Sequence, residues 1–191
     1  MGNAQNRAAM VIHPARFPHV HQATATSCGA ACLIMCALYW LGEAIPWQRE
    51  KSVYSALRLG KDGAEPDAIA AVAERIGLHA TARTGMTQAD LATLLAEGTP
   101  VILGLQAWRT LKSPPAWRDD WDDGHYVVAV GIKDAALVVR DPSLWVSDGL
   151  IPLDELDDRW HLPLTADERA TGVGIPIRGD KPAKLEPMLV A

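Results

Sequence analysis

The stretch HQATATSCGAACLIMCALYWLG, residues 21–42, passes from short polar side chains to small ones at a cysteine, then runs apolar to a glycine. Ser27 is an N-cap residue type, the apolar side chains continue to Leu41 and Gly42 is a stop, so a helix is predicted to open at Cys28. Cys28, Cys32 and Cys36 recur every four residues and share one face of that helix. Three roles suit them: small core fillers, metal ligands or, for Cys28, a nucleophile at a helix start. Cys32 and Cys36 read as packing. A metal set needs a fourth ligand and a local spacing such as C-x-x-C, which the sequence lacks. Cys28 differs by position, because unpaired N–H groups and the positive end of a helix dipole lower a thiol pKa. Gly29 beside it reads as room for a substrate backbone. The Cys28 N–H, and the amide of Gln22 six residues upstream, are candidate donors to an oxyanion.

A nucleophile of this kind needs a base and a group to orient the base. Of the six histidines, His13, His19, His21, His79 and His161 stand in tails, near chain ends or on faces expected to be exposed. His125 opens the apolar run HYVVAVGI after a long polar loop, and Asp141 closes the return strand LVVRD. A hairpin turn centred on Lys133, inside the turn signal Lys133-Asp134-Ala135, sets His125 and Asp141 opposite or one step diagonal across an antiparallel pair. Asp141 is then expected to accept the Nδ1–H of His125 and fix its tautomer. These residues point to a Cys-His-Asp hydrolase, with the bland reading of three packing cysteines still open.

The remaining text orders helices before strands. Short helical patterns are predicted around Arg49–Leu59, after Pro66 and from Thr87, where Thr-x-x-Asp is a capping signature. Strands are expected at 78–83, 100–108, 125–132 and, after a turn at KDAA, in LVVRDPS (137–143), followed by a strand and short helix within 148–160. This order suits an α+β domain with helices packed on a mainly antiparallel sheet. The expected boundaries are an N-terminal tail over 1–17, a domain over 18–165 and a C-terminal tail over 166–191, where no periodicity is evident. A net charge of −5 with no Lys/Arg block argues against nucleic-acid binding. No apolar run reaches membrane-spanning length, no secretory segment is present, and three cysteines make no disulfide framework. A cytoplasmic location is therefore expected, with no cofactor. Asp119, Asp120, Asp122 and Asp123, around Trp121, form either a solvated acidic loop or a receptor for a basic peptide.

Residues 21–42 resemble the N-terminal motif of the C39-type papain-like cysteine peptidases, the bacteriocin-processing or double-glycine peptidases. DDGHYVVAVGIKDAALVVRDPS (122–143) is similar to their second motif, a Gly-His-Tyr-Val-Val strand, a turn and Asp-Pro. EPDAIAAVAERIGLHA, MTQADLATLLAEGTPVILGLQAW and LIPLDELDDRW resemble the intervening and closing segments, so the likeness covers about residues 18 to 162. It implies a papain-like fold, Cys28 as nucleophile, His125 as base and later acid, Asp141 as its orienting partner and Gln22 in the oxyanion hole. It also implies a peptide or protein substrate cut after small residues, Gly-Gly or Gly-Ala. Ser27 stands where many relatives carry Asp. A chain of 191 residues has no room for the membrane and ATPase domains to which many relatives are fused, so a stand-alone domain is expected, with any transporter a separate partner. An acyltransferase or amidase on the same residues, and a non-catalytic module that holds a leader peptide, are the alternatives.

Overall fold

The computed structural model describes residues 12–42, 50–57, 63–109, 116–145, 148–164 and 168–183. Arg49 and Leu59, the expected bounds of the second helix, lie outside them. Helix α1 (Cys28–Leu41) opens after Ser27 and closes at Gly42, which ends it with φ of 68°. Helix α2 (Glu50–Leu57) is short, and α3 (Pro66–Arg75) starts on the proline that suits a first turn. Helix α4 (Gln88–Ala96) carries the predicted capping box, with Thr87 and Asp90 each accepting the other's backbone N–H. All of α1 from Cys28 to Tyr39 except Leu38 is buried, which fits a central helix with no polar face.

The sheet comprises β1 (His79–Ala80), β2 (Val101–Gln106), β3 (Gly124–Lys133), β4 (Ala136–Arg140) and β5 (Gly149–Pro152), with a late strand, β8 (Val173–Arg178), added from the C-terminal region. Helix α5 (Leu153–Arg159) follows β5, and β6 (His161–Pro163) pairs with β7 (Arg169–Thr171) as a separate ribbon. The six-stranded order is β1-β8-β2-β3-β4-β5, antiparallel throughout. Helix α1 lies against β3, α3 against β1 and β8, and α4 against β2 and β3. The α+β class with an antiparallel sheet is thus the observed architecture. No described helix is long and apolar enough to cross a membrane.

Two expected tails are corrected. Residues 169–178 form β7 and β8 (Val173–Arg178), and β8 is an interior strand whose residues Val173, Ile175 and Ile177 are fully buried. Its text, VGIPI, hides this because a strand buried on both faces shows no alternation, and Pro176 reads as a breaker. The register from His79↔Arg178 to Arg83↔Gly174 sets Pro176 against the 81–82 stretch, where the ladder is interrupted and the missing N–H costs no strand bond. Trp40 and Trp160 each donate an indole N–H to this strand, at Ile177 O (3.0 Å) and Val173 O (2.8 Å). At the other end, part of the 12–17 segment is packed as well. Ile12 and Phe17 are buried, Phe17 meets Tyr39 with ring centroids 4.7 Å apart, and buried Arg140 donates to the carbonyls of Phe17 and Pro14. No local periodicity announces a segment held by one distant arginine.

Candidate active site

The β3–β4 hairpin carries the first two pieces. Its turn is Asp134–Ala135, both at positive φ (50° and 59°), rather than centred on Lys133. A bulge between Ala129 and Gly131 moves the register again, so Val128 faces Arg140. Continuing that register would set Asp141 opposite Val127, diagonal to His125. The diagonal is close enough: His125 Nε2 lies 2.8 Å from Asp141 Oδ1, with His125 only 4% exposed. The contact uses Nε2, not the Nδ1 expected from sequence. The same ring is hydrogen-bonded to Cys28, and with Nε2 on Asp141 the other nitrogen, Nδ1, is left for that contact.

Cys28 is 7% exposed at the first position of α1. Burial would raise its pKa, yet the His125 hydrogen bond and charge, with backbone N–H groups of Tyr126 and Gly29, outweigh burial and hold the thiol below its ordinary value. The converse holds for His125. Burial disfavours the charged ring, but the hydrogen bonds and charges of Asp141 and Cys28 raise its pKa to about 9. The two shifts run in the directions that favour a thiolate beside a charged ring. Cys32 and Cys36 differ as expected. Both are fully buried, desolvation pushes both thiols up, and the Cys32 thiol donates to Tyr126 O at 3.3 Å.

Ser27 occupies the N-cap position without capping. Its hydroxyl turns back to Thr24, donating to Thr24 O (3.0 Å) and accepting from Thr24 N (2.9 Å). The first turn of α1 consequently receives no cap from Ser27, and the Gly29 N–H bonds the Cys28 sulfur instead. Gly29 also has a different reason from the one expected. A Cβ there would come within 3.0 Å of Ile69 Cδ1 and 3.2 Å of the Tyr126 ring, so it is bare for packing inside the fold rather than for an approaching substrate.

Gln22 joins the same constellation by a residue that sequence reasoning missed. Its Nε2 donates to Thr24 O (2.9 Å), its Oε1 accepts from Ser143 Oγ (2.8 Å), and its backbone N–H donates to Pro142 O (2.8 Å). The Ser143 N–H donates in turn to Asp141 Oδ1 at 2.9 Å, the oxygen that also meets His125. A signal was available, since Asp-Pro-Ser is a turn sequence in which an aspartate accepts from the N–H two residues on. Trp108, at positive φ (59°) and half exposed, sets its ring against His125 with centroids 5.3 Å apart. Trp145 is 87% exposed and stacks on His21 at 4.0 Å.

Elsewhere, expectations change in two places. His161 is buried rather than exposed, bonded through Nε2 to Asp120 O (2.6 Å). Asp120 is buried too, and its Oδ1 accepts from Asp122 N, so this part of the acidic loop is folded inward while Asp119 and Asp122 remain exposed. Among the described residues, no group of three or more His, Cys, Asp or Glu side chains is placed to hold a metal ion.

A buried cysteine at a helix start, paired with a histidine on the facing sheet, is the arrangement on which a thiol peptidase is built. The family model described as the Peptidase C39 family matches residues 16–166. The chain belongs to the C39 peptidase family. It is accordingly a cysteine peptidase of papain-like fold. No curated protein matches the chain in a sequence search. Solved structures share the C39 fold at low identity. One is a double glycine motif protease from an AMS/PCAT transporter in complex with the leader peptide, 24% identical over 87% of this chain and 91% of that one, TM-score 0.59. Another is the peptidase domain of Streptococcus ComA, a bifunctional ABC transporter of a quorum-sensing pathway, 16% identical over 85% and 98%, TM-score 0.61. A third is a C39-like peptidase from Bacillus anthracis, 15% identical over 90% and 98%, TM-score 0.65.

Proposed function

We propose that this C39 peptidase cleaves a peptide precursor through an acyl-enzyme formed on Cys28, after small residues such as Gly-Gly or Gly-Ala. The observation that carries the reading is the unbroken line from Cys28 through His125 to Asp141 at the uncapped start of α1. With the thiol lowered and the imidazole raised, the proton rests on His125 before substrate arrives. The thiolate attacks the scissile carbonyl, and the oxyanion takes hydrogen bonds from the Cys28 N–H and one N–H of Gln22. His125 then delivers its proton to the leaving amine, and water releases the acyl group. Asp141 keeps the ring charged and turned with Nδ1 toward sulfur. The narrow exposure of Cys28 and His125 favours a substrate with little side chain at the cut, which supports the small-residue preference. The leader-peptide complex of the transporter protease and the transporter setting of ComA support a leader-bearing precursor and a transporter as partner.

The test is cleavage of a peptide containing Gly-Gly, followed by product mass. Two hydrolytic fragments are expected from the native protein and none from Cys28→Ala. Undiminished cleavage by Cys28→Ala would overturn the assignment, and a product carrying a transferred acyl group would replace hydrolysis with acyl transfer.

A further inference from the structure

We infer that Ser143 is a positioning residue that holds the Gln22 amide in the orientation needed to receive the oxyanion, an inference that rests on the role proposed above for Gln22. A glutamine amide has two ends of similar shape and opposite function, since NH2 donates and oxygen only accepts. Turned the wrong way, Gln22 would present oxygen to a developing negative charge. Two contacts fix the turn. Thr24 O can only accept, so Nε2 must face it, at 2.9 Å. Ser143 Oγ, 2.8 Å from Oε1, must donate there and pins the other end. One N–H of Nε2 serves Thr24 and the second is left for substrate.

Each anchor is itself fixed. Thr24 is held by the buried Ser27 hydroxyl at both its N–H and its carbonyl. Ser143 is fixed by its own N–H on Asp141 Oδ1 and by the turn in which Leu144 N donates to Asp141 O at 3.1 Å. The segment bearing Gln22 is tied to the same turn at Pro142 O, and His19 Nε2 lies 2.9 Å from Leu144 O. The carboxylate that orients His125 therefore also places the hydroxyl that orients Gln22. One short turn sets both the base and the oxyanion donor, so the two cannot drift apart independently.

Ser143→Ala removes only the hydroxyl and keeps the N–H to Asp141. Because the oxyanion exists only in the transition state, kcat for Gly-Gly peptide cleavage is expected to fall about tenfold with KM unchanged. Iodoacetamide should alkylate Cys28 at the native rate, since the thiolate–imidazolium pair is untouched. In a Gln22→Ala background the same change should cost less than about twofold, the non-additivity of residues acting as one unit. Ser143→Thr, which keeps a hydroxyl, should recover most of the rate. Native kcat in Ser143→Ala, multiplicative losses with Gln22→Ala, or slowed alkylation in Ser143→Ala would each overturn the inference. If Gln22→Ala itself leaves kcat intact, the oxyanion reading falls and this inference with it. If Gln22→Ala is slow and Ser143→Ala is not, only this inference falls.

Discussion

Asp141→Asn keeps the shape of the carboxylate and removes its charge. His125 stands at about 9 against an ordinary 6.5, although its burial pulls the other way. That rise corresponds to about 3 kcal/mol in favour of the charged ring. The hydrogen bond to Asp141 is the largest contribution opposing burial, followed by the bond and charge of Cys28. Each unit by which the His125 pKa falls on substitution weakens the ion pair about tenfold relative to the neutral pair. The sign follows from the directions: activity needs Cys28 ionised and His125 protonated. The native profile of kcat/KM should rise through the lowered thiol pKa and fall as His125 loses its proton near 9. In Asp141→Asn the alkaline limb should move down toward neutrality, and the pH limb of Cys28 alkylation should move up toward that of an ordinary thiol. Alkylation by iodoacetamide, located by mass, reads this without any substrate, and Cys32 and Cys36 stay silent because both are fully buried. An alkylation profile identical in native protein and Asp141→Asn would refute the argument that Asp141 charges the ring.

Two further outcomes concern the fold. Gly172 sits at φ of 58°, and a Cβ there would press into the backbone nitrogen and oxygen of Met86. Gly172→Ala should therefore destabilise the protein by about 2 kcal/mol or more, read as a lower urea midpoint. Arg140 is 1% exposed and holds the carbonyls of Phe17 and Pro14. Arg140→Ala should cost about 3 kcal/mol and open residues 12–18 to limited proteolysis, while a native digestion pattern would show that the segment is held by other contacts.

Much of the site was legible because its chemistry is written locally. Cys28 at a helix start, a histidine opening a strand and an aspartate ending the next one are each recognisable from residue type and neighbours. The turn between the strands brought the last two within one diagonal step. The geometry that decides the ring's orientation was not legible. A bulge at Val130 and a turn one residue later than expected shift the register, and the contact falls on Nε2 rather than Nδ1. Ser27 and Gly29 were rightly picked out but for the wrong reasons. One bonds to Thr24 and the other makes room for Ile69 and Tyr126, both partners brought near only by the fold.

The sequence alone determined the principal helices, the α+β class and the choice of Gln22, Cys28, His125 and Asp141 as candidate site residues, because caps, periodicity and turn residues act over a few positions. Tertiary structure alone decided that Val173–Arg178 belongs inside the sheet and that Ile12 and Phe17 pack into the core. Neither VGIPI nor residues 12–17 carry a local pattern, and their partners are Trp40, Trp160 and Arg140, far away in the chain. It also decided that Ser143 links the two halves of the site. That link joins residues 121 positions apart, and only the folded chain brings them within hydrogen-bond reach.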